Sequence, residues 1–269
     1  MKRIFSEGVG WTWFKYRFFR MGLGIYLSLH FFDLIRYGKE IFSNQGNLSD
    51  RTLSPILYTI PNIFSVFDTP NFVLSVITFA FLASIAFAAG ILDRWLAIII
   101  WYITACLLGR NPLISNFSMP IIGWLLIAHA MIPGRKNFHW RMPKQIYLAA
   151  WVVMACTYTY SGFIKLASPT WSDGTVLFHV LENPIARAGF IREYLLTLSP
   201  NTLRYGTWAC LGLEVLFAPL ALFRWFRPFL WLGMVCVHVS LLILVSMADV
   251  SIAMLCFHWF TFNPSWTSK

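Results

Sequence analysis

Apolar runs of membrane-spanning length, separated by short polar breaks, follow one another along most of the chain. A helix needs about 20 mostly apolar residues to cross a hydrocarbon core. Reading for such runs predicts eight spans: Met21–Arg36, Phe72–Leu92, Trp95–Leu108, Met119–Ile132, Ile146–Leu166, Tyr205–Phe223, Phe229–Ser246 and Val250–Phe262. The third, fourth and eighth are short, which fits tilted or partial crossings. Asp93-Arg94 makes a minimal turn between two spans. Pro112, Pro133, Pro143 and Pro228 mark other boundaries, because proline lacks the amide that a helix interior uses. The expected fold is all-α: a polytopic membrane bundle of about eight helices, forming one domain over residues 1–269 with no separate soluble domain.

Two connections are longer. Tyr37–Asn71 is polar and broken by Pro55, Pro61 and Pro70. Ala167–Arg204 holds an amphipathic stretch, Val176–Leu198, interrupted by Pro184. Both read as interfacial helices on the outer side rather than as a folded ectodomain.

Composition supports the membrane reading. The chain of 269 residues is 58% hydrophobic and only 12% charged, with a mean hydropathy of +0.64. Soluble proteins carry about 25% charged residues. Its 25 Phe and 13 Trp suit lipid-facing surfaces and interfacial belts. No secretory signal is expected in Met1–Trp13, where Lys2, Arg3 and Glu7 precede any long apolar run. Five cysteines, Cys106, Cys156, Cys210, Cys236 and Cys256, all fall within apolar segments, which predicts buried, inert thiols.

The net charge of +10 raises the question of nucleic acid, and the positions of the charges answer it. With the N-terminus inside, the inner segments hold 13 of the 21 basic residues but only Glu7 and Asp93 among the acids. The positive-inside rule then places both termini in the cytoplasm. The basic residues form a membrane-flanking rim, so the expected partner is the lipid bilayer and no nucleic acid.

Ionisable residues inside apolar spans are costly and mark candidate sites. Glu214 sits mid-run in Trp208–Leu222 without a polar neighbour in sequence. It is either a functional group or a partner for a Ser, Thr or His of another helix. His238 lies mid-span near the same depth, and His129 and His258 have no assignable partner. No histidine spacing fits a metal site, so none is expected. His30 and Asp33, at i and i+3, are placed to pair near the end of the first span.

Lys165 ends the fifth span. It either snorkels to headgroups or acts as a base: Tyr158, Ser161 and Lys165 share one helical face, and Gly162 admits close approach by another helix. A partly desolvated lysine at such a place loses its proton more readily. The turn Arg110–Met119 adds Asn111, Ser115, Asn116 and Ser118, which suit helix capping or ligand binding.

The segment Tyr160-Ser-Gly-Phe-Ile-Lys-Leu, followed after four residues by Trp171-Ser-Asp-Gly174, resembles a known signature. It is similar to that of vitamin K-dependent γ-carboxylases and their compact bacterial relatives with the horizontally transferred transmembrane (HTTM) domain. In that family a helix ending in Gly-x-x-Lys-Leu precedes a Trp-x-x-Gly turn. Lys165 matches the second lysine of the pair in animal carboxylases, taken there as the catalytic base, and Ile164 replaces the first. Gly212-Leu-Glu214 with Phe223–Arg227, and His238-Val-Ser with Phe262–Trp266, resemble later family segments in the same order. Ser115-Asn-Phe-Ser-Met119 resembles an Asn-His-Ser motif, with Asn116 kept and Phe117 in place of the histidine.

The resemblance implies a quinol-linked membrane enzyme. Lys165 would be the base; Asn116, His238, Tyr160 and Trp171 would bind quinone or substrate; Glu214 would be a structural or proton-relay group. The implied cofactor is a reduced quinone, of vitamin K type or another isoprenoid quinol, with O2 and CO2 as co-substrates. Its reaction with O2 supplies a base strong enough to make a carbanion, which demands a dry site. Phe117 and the absence of a carboxylase-like soluble domain shift the expected substrate toward a small molecule or peptide. A peptide or partner protein would supply the substrate-binding part. The alternative is a non-catalytic membrane protein for toxin-peptide maturation, export or immunity. The implied location is the bacterial inner membrane.

Overall fold

In a computed structural model, which describes residues 10–114, 118–132 and 140–267, the chain is helical and forms no β-strand among those residues. The first four helices are α1 Trp13–Phe42, α2 Pro70–Ala89, α3 Asp93–Arg110 and α4 Met119–Met131. They are followed by α5 Lys144–Leu166, α6 Pro169–Ser172, α7 Val176–Glu182, α8 Phe190–Leu196, α9 Pro200–Val215, α10 Phe217–Ala221, α11 Arg227–Leu244 and α12 Ala248–Thr261. Four of these, α1, α2, α5 and α11, are long and apolar enough to cross a membrane, and α4 and α12 are shorter apolar helices. The molecule is a helical membrane protein. Each expected span coincides with helix, and among the described residues length and apolarity single out four of these helices as candidate crossings. The expected amphipathic stretch is the pair α7 and α8.

The chain divides into two compact units, Trp11–Met142 and the part from Pro143 onward. In the first, α1 and α2 approach closely where Gly24 faces Ala88: a Cβ on Gly24 would lie 2.7 Å from the Ala88 Cα. Such small-residue contacts are how helices pack when lipid offers no hydrophobic drive. Gly90, at φ +87, closes α2, and Asp93 opens α3 almost at once. The turn is held by charge. Arg20 lies 3.2 Å from the Asp93 carboxylate, His129 Nε2 lies 3.5 Å from it, and the Tyr16 hydroxyl is 2.7 Å from His129 Nδ1. At the other end of α3, the fully buried Arg110 donates to the Ser43 carbonyl at 3.0 Å and faces Asp68 at 3.5 Å. Asn62 and Asn111 donate to the carbonyls of Cys106 and Ile41, both at 2.9 Å, so the polar connection after α1 is tied to α3, and the end of α3 to α1.

In the second unit, α5 buries Tyr147, Ala150, Trp151, Met154, Ala155, Tyr158 and Gly162, a stripe with helical spacing. Its partner α9 buries Leu203, Thr207, Leu211 and Glu214. The expected sixth span, Tyr205–Phe223, is not continuous: it breaks at Leu216 between α9 and α10. Pro219 causes the break, because it has no N–H for the Val215 carbonyl and its ring crowds that carbonyl. Ala218 N–H, whose partner in an unbroken helix is the Glu214 carbonyl, donates instead to Thr159 Oγ1 at 2.9 Å. The Thr159 hydroxyl in turn donates to the Glu214 carbonyl at 3.3 Å. A side chain of α5 thus stands in for the lost rung.

Gly162 sits at the same crossing, where an added Cβ would lie 2.7 Å from the Val215 nitrogen and 3.0 Å from the Glu214 carbonyl carbon. Gly212, also helical, has nothing within 4 Å of an added Cβ. Gly162→Ala should therefore destabilise the protein by about 1–3 kcal/mol through overpacking. Gly212→Ala should be neutral or stabilise by up to about 1 kcal/mol, from helix propensity alone. Unfolding in detergent, followed for both variants beside the parent, checks the contrast; equal behaviour would contradict the close crossing.

Candidate functional site

Lys165 lies in the last turn of α5 and Glu214 in the last turn of α9, and the Gly162 crossing brings them together. Lys165 Nζ is 2.5 Å from Glu214 Oε1 and 2.6 Å from Oε2. The Glu214 side chain is 5% exposed and that of Lys165 is 26% exposed, so the lysine is the accessible member. The ammonium also lies 4.7 Å from the centre of the Trp171 ring, a cation–π arrangement. A buried carboxylate with no cation would be strongly unfavourable, and Lys165 removes that penalty.

Trp171 belongs to the one-turn helix α6, which the following turn holds in place. Gly174 has φ +83, and a Cβ there would collide with Arg204 and Trp208, so only glycine fits. Trp208 Nε1 donates to the Ser172 carbonyl at 3.0 Å. Asp173 accepts from the Thr175 amide at 2.9 Å and hydroxyl at 2.7 Å, and these bonds hold its carboxyl below the usual carboxylate range.

A second polar cluster lies farther back along α5. The Tyr158 hydroxyl is 2.8 Å from His238 Nε2 on α11 and 3.4 Å from His258 Nε2 on α12. His258 Nδ1 is 2.9 Å from the Met254 carbonyl. All three side chains are buried, and His238 Nδ1 has no hydrogen-bond partner among the described residues. Lys165 and Tyr158 share a helical face two turns apart, about 10 Å along the axis at the helical rise.

Of the residues expected at the site, Lys165, Glu214 and Trp171 converge in direct contact. His238 joins Tyr158 and His258 rather than Glu214. Tyr160 is 69% exposed and belongs to neither cluster. Asn116 lies outside the described residues, as do Ser115 and Phe117. Two contributors had no assigned role: Thr159, which repairs the helix break, and His258, which anchors the second cluster. The signal for Thr159 is Pro219, a proline inside an apolar run that leaves Ala218 N–H without its rung. Three of the five cysteines also differ from expectation, since Cys156 and Cys236 are exposed and Cys210 is partly exposed; all five are free.

Beside the second cluster, α11 and α12 frame an apolar groove of about 310 Å³ lined by Trp231, Val235, Leu255, His258, Trp259 and Phe262. Trp231 Nε1 donates to the His258 carbonyl at 2.7 Å, fixing one wall. Compared with known proteins, the chain matches no family model, no curated protein and no solved structure.

The ion pair makes a thermodynamic prediction. Lys165→Met and Glu214→Gln should each destabilise, the loss of Lys165 more, by up to about 3–5 kcal/mol for a strictly buried pair and less here because the lysine is partly exposed. The double variant should recover much of that loss, since no unpaired charge remains. Additive losses in a double-mutant cycle on the detergent-solubilised protein would refute the pairing.

Proposed function

We propose that this chain is a γ-carboxylase-like, quinol-linked membrane enzyme in which Lys165 serves as base toward a small or peptide substrate. The observation that carries this reading is the bidentate contact between Lys165 and Glu214 at a break in an apolar helix. Ionisable groups in apolar spans tend to be functional, and interrupted helices gather at membrane binding sites.

Glu214 supplies what a lysine base needs. An ammonium cannot accept a proton, so its own must first leave. The Glu214 carboxylate, hydrogen-bonded to Nζ, takes that proton and leaves a neutral amine beside a neutral acid. The transfer cancels two charges, which an apolar medium favours relative to water. The free amine then accepts a proton from a bound hydroxyl. Trp171, against Nζ, limits where the amine can point and keeps water from that side.

The residues present fit a reduced isoprenoid quinone. The unpartnered His238 Nδ1 is a buried polar atom in need of a hydrogen-bond mate, and the apolar groove between α11 and α12 suits a hydrocarbon tail. When bound, such a group supplies the reducing equivalents for O2-dependent formation of a strong base, with CO2 as the further substrate in carboxylation. Trp171 and His238 would contact the ring. Asn116 and Tyr160 belong to the same proposal through the family resemblance alone. We place the chain in a bacterial inner membrane with about eight crossings and both termini cytoplasmic, as its distribution of basic residues favours. A peptide or partner protein would present the substrate.

The same bidentate contact favours a second reading, in which Lys165 and Glu214 are a packing pair in a non-catalytic protein for peptide maturation, export or immunity. Substituting Lys165 separates the two. With membrane insertion confirmed, Lys165→Ala should lower quinol oxidation by about 100-fold or more, the usual contribution of a general base. Lys165→Arg should keep the charge pair but not the activity, because arginine does not give up its proton. Normal oxidation in both variants would sink the base mechanism. Quinone extracted with the purified protein is the expected companion observation.

A further inference from the structure

The second cluster has a hydrogen-bond direction that follows from counting protons. The Met254 carbonyl only accepts, so His258 Nδ1, 2.9 Å away, carries a hydrogen. A neutral imidazole has one N–H, which leaves His258 Nε2 as an acceptor. Its neighbour at 3.4 Å is the Tyr158 hydroxyl, which has one hydrogen to give. Two arrangements then exist. If Tyr158 donates to His258, its oxygen accepts from His238 Nε2–H at 2.8 Å, and His238 Nδ1 is a bare lone pair. If Tyr158 donates to His238 instead, His238 Nδ1–H lacks an acceptor and His258 Nε2 lacks a donor. The 2.8 Å bond is made either way. The first arrangement leaves one buried group unpaired and the second leaves two, and each such group is costly. The direction of the chain is therefore His238 to Tyr158 to His258 to Met254.

We infer that Tyr158 and His258 are positioning residues that hold His238 in its Nε2–H tautomer, so that its bare Nδ1 accepts a hydrogen bond from a hydroxyl of the bound ligand. The inference rests on the reading of the site as one for a reduced quinone and sharpens it to a selectivity. A hydroxyl-bearing reduced ring donates to Nδ1. The oxidised ring offers only carbonyl oxygens, which face the Nδ1 lone pair with no hydrogen between them. The cluster thus favours the reduced form and weakens the hold on the oxidised one, which is the direction turnover requires. His258 exerts this control without touching the ligand, through Tyr158.

The test reads protonation rather than activity. The full chain, with 13C,15N-labelled histidine, is placed in lipid bilayers at about pH 8, above the ordinary histidine range near 6.5. Solid-state NMR distinguishes protonated from bare ring nitrogens. Correlations to the labelled backbone assign His238 and His258 without relying on any variant. The expected result is Nδ1–H at His258 and Nε2–H at His238. Under anoxia, durohydroquinone should shift the bare His238 Nδ1 resonance and duroquinone should not. Tyr158→Phe should release His238 into a mixture of tautomers while His258 keeps its Nδ1–H bond to Met254.

Nδ1–H at His238 in the parent protein would overturn the inference, as would equal shifts from both redox forms or from neither. A folded Tyr158→Phe protein with His238 unchanged would remove Tyr158 from the role. None of these outcomes bears on Lys165. Conversely, active Lys165 variants would end the base mechanism while leaving the polarity at His238 as measured.

Discussion

In apolar surroundings a helix cannot leave a backbone amide unpaired, and Pro219 forces that problem on the α9–α10 segment. The solution is supplied from outside. Thr159 inserts its hydroxyl between the Ala218 N–H and the Glu214 carbonyl, so α5 must meet the break at one height and one rotation. The rest of the second unit follows from that register. Gly162, three residues on, faces the α9 backbone, and no other residue fits so close. Lys165, another three on, reaches the Glu214 side chain, and Tyr158, one residue back, faces the histidines. The i, i+7 spacing puts Tyr158 and Lys165 on one face of α5, and the hydroxyl bridge of Thr159 sets the height and rotation at which that face meets its partners.

The two units handle ionisable groups differently. In Trp11–Met142 two ion pairs lie at the ends of α3: Arg20 meets Asp93 beside the α2–α3 turn, and Arg110 closes α3 on backbone carbonyls and Asp68. Those contacts fasten connections. Glu214 instead lies inside an apolar run, where the desolvation of an ion amounts to several kcal/mol by the usual measure. A fold that needed only a helix contact would reach the same stability with a hydrophobic pair, since replacing a buried ion pair by apolar residues is often neutral or stabilising. The partial exposure of Lys165, against a nearly sealed Glu214, points the same way. The cation is left reachable while its counter-ion is kept from water.

The helices were legible in the sequence because lipid imposes one rule on every span, and runs of apolar residues are its direct expression. The break in the sixth span was not read, since Pro219 lies among Leu216, Phe217, Ala218 and Leu220 and hydropathy does not register a missing amide. The partner of Glu214 was not legible for a different reason. The sequence leaves a functional role or a Ser, Thr or His partner open, whereas the pairing is set by the rotation of α5, and Lys165 is 49 positions away in the chain. Helical geometry did separate the tyrosines. Seven residues bring Tyr158 back to the face of Lys165, while five leave Tyr160 about 140° away at about 100° per residue. The family signature contains Tyr160, and the helix turns it outward.

The two clusters end in opposite hydrogen-bond characters. Lys165 meets a ligand oxygen as a donor and, in the proposed mechanism, would remove its proton. His238, in the tautomer proposed, meets a ligand only as an acceptor. A molecule with a single carbonyl or a single hydroxyl satisfies one of these demands. A ring bearing two hydroxyls satisfies both, giving a hydrogen bond at one end and a proton at the other. Once oxidised it loses the bond to His238 and has no proton to give, while its carbonyl can still accept from Lys165. In the proposed reading, these hydrogen-bond polarities would suit a dihydroxy ring better than its oxidised product.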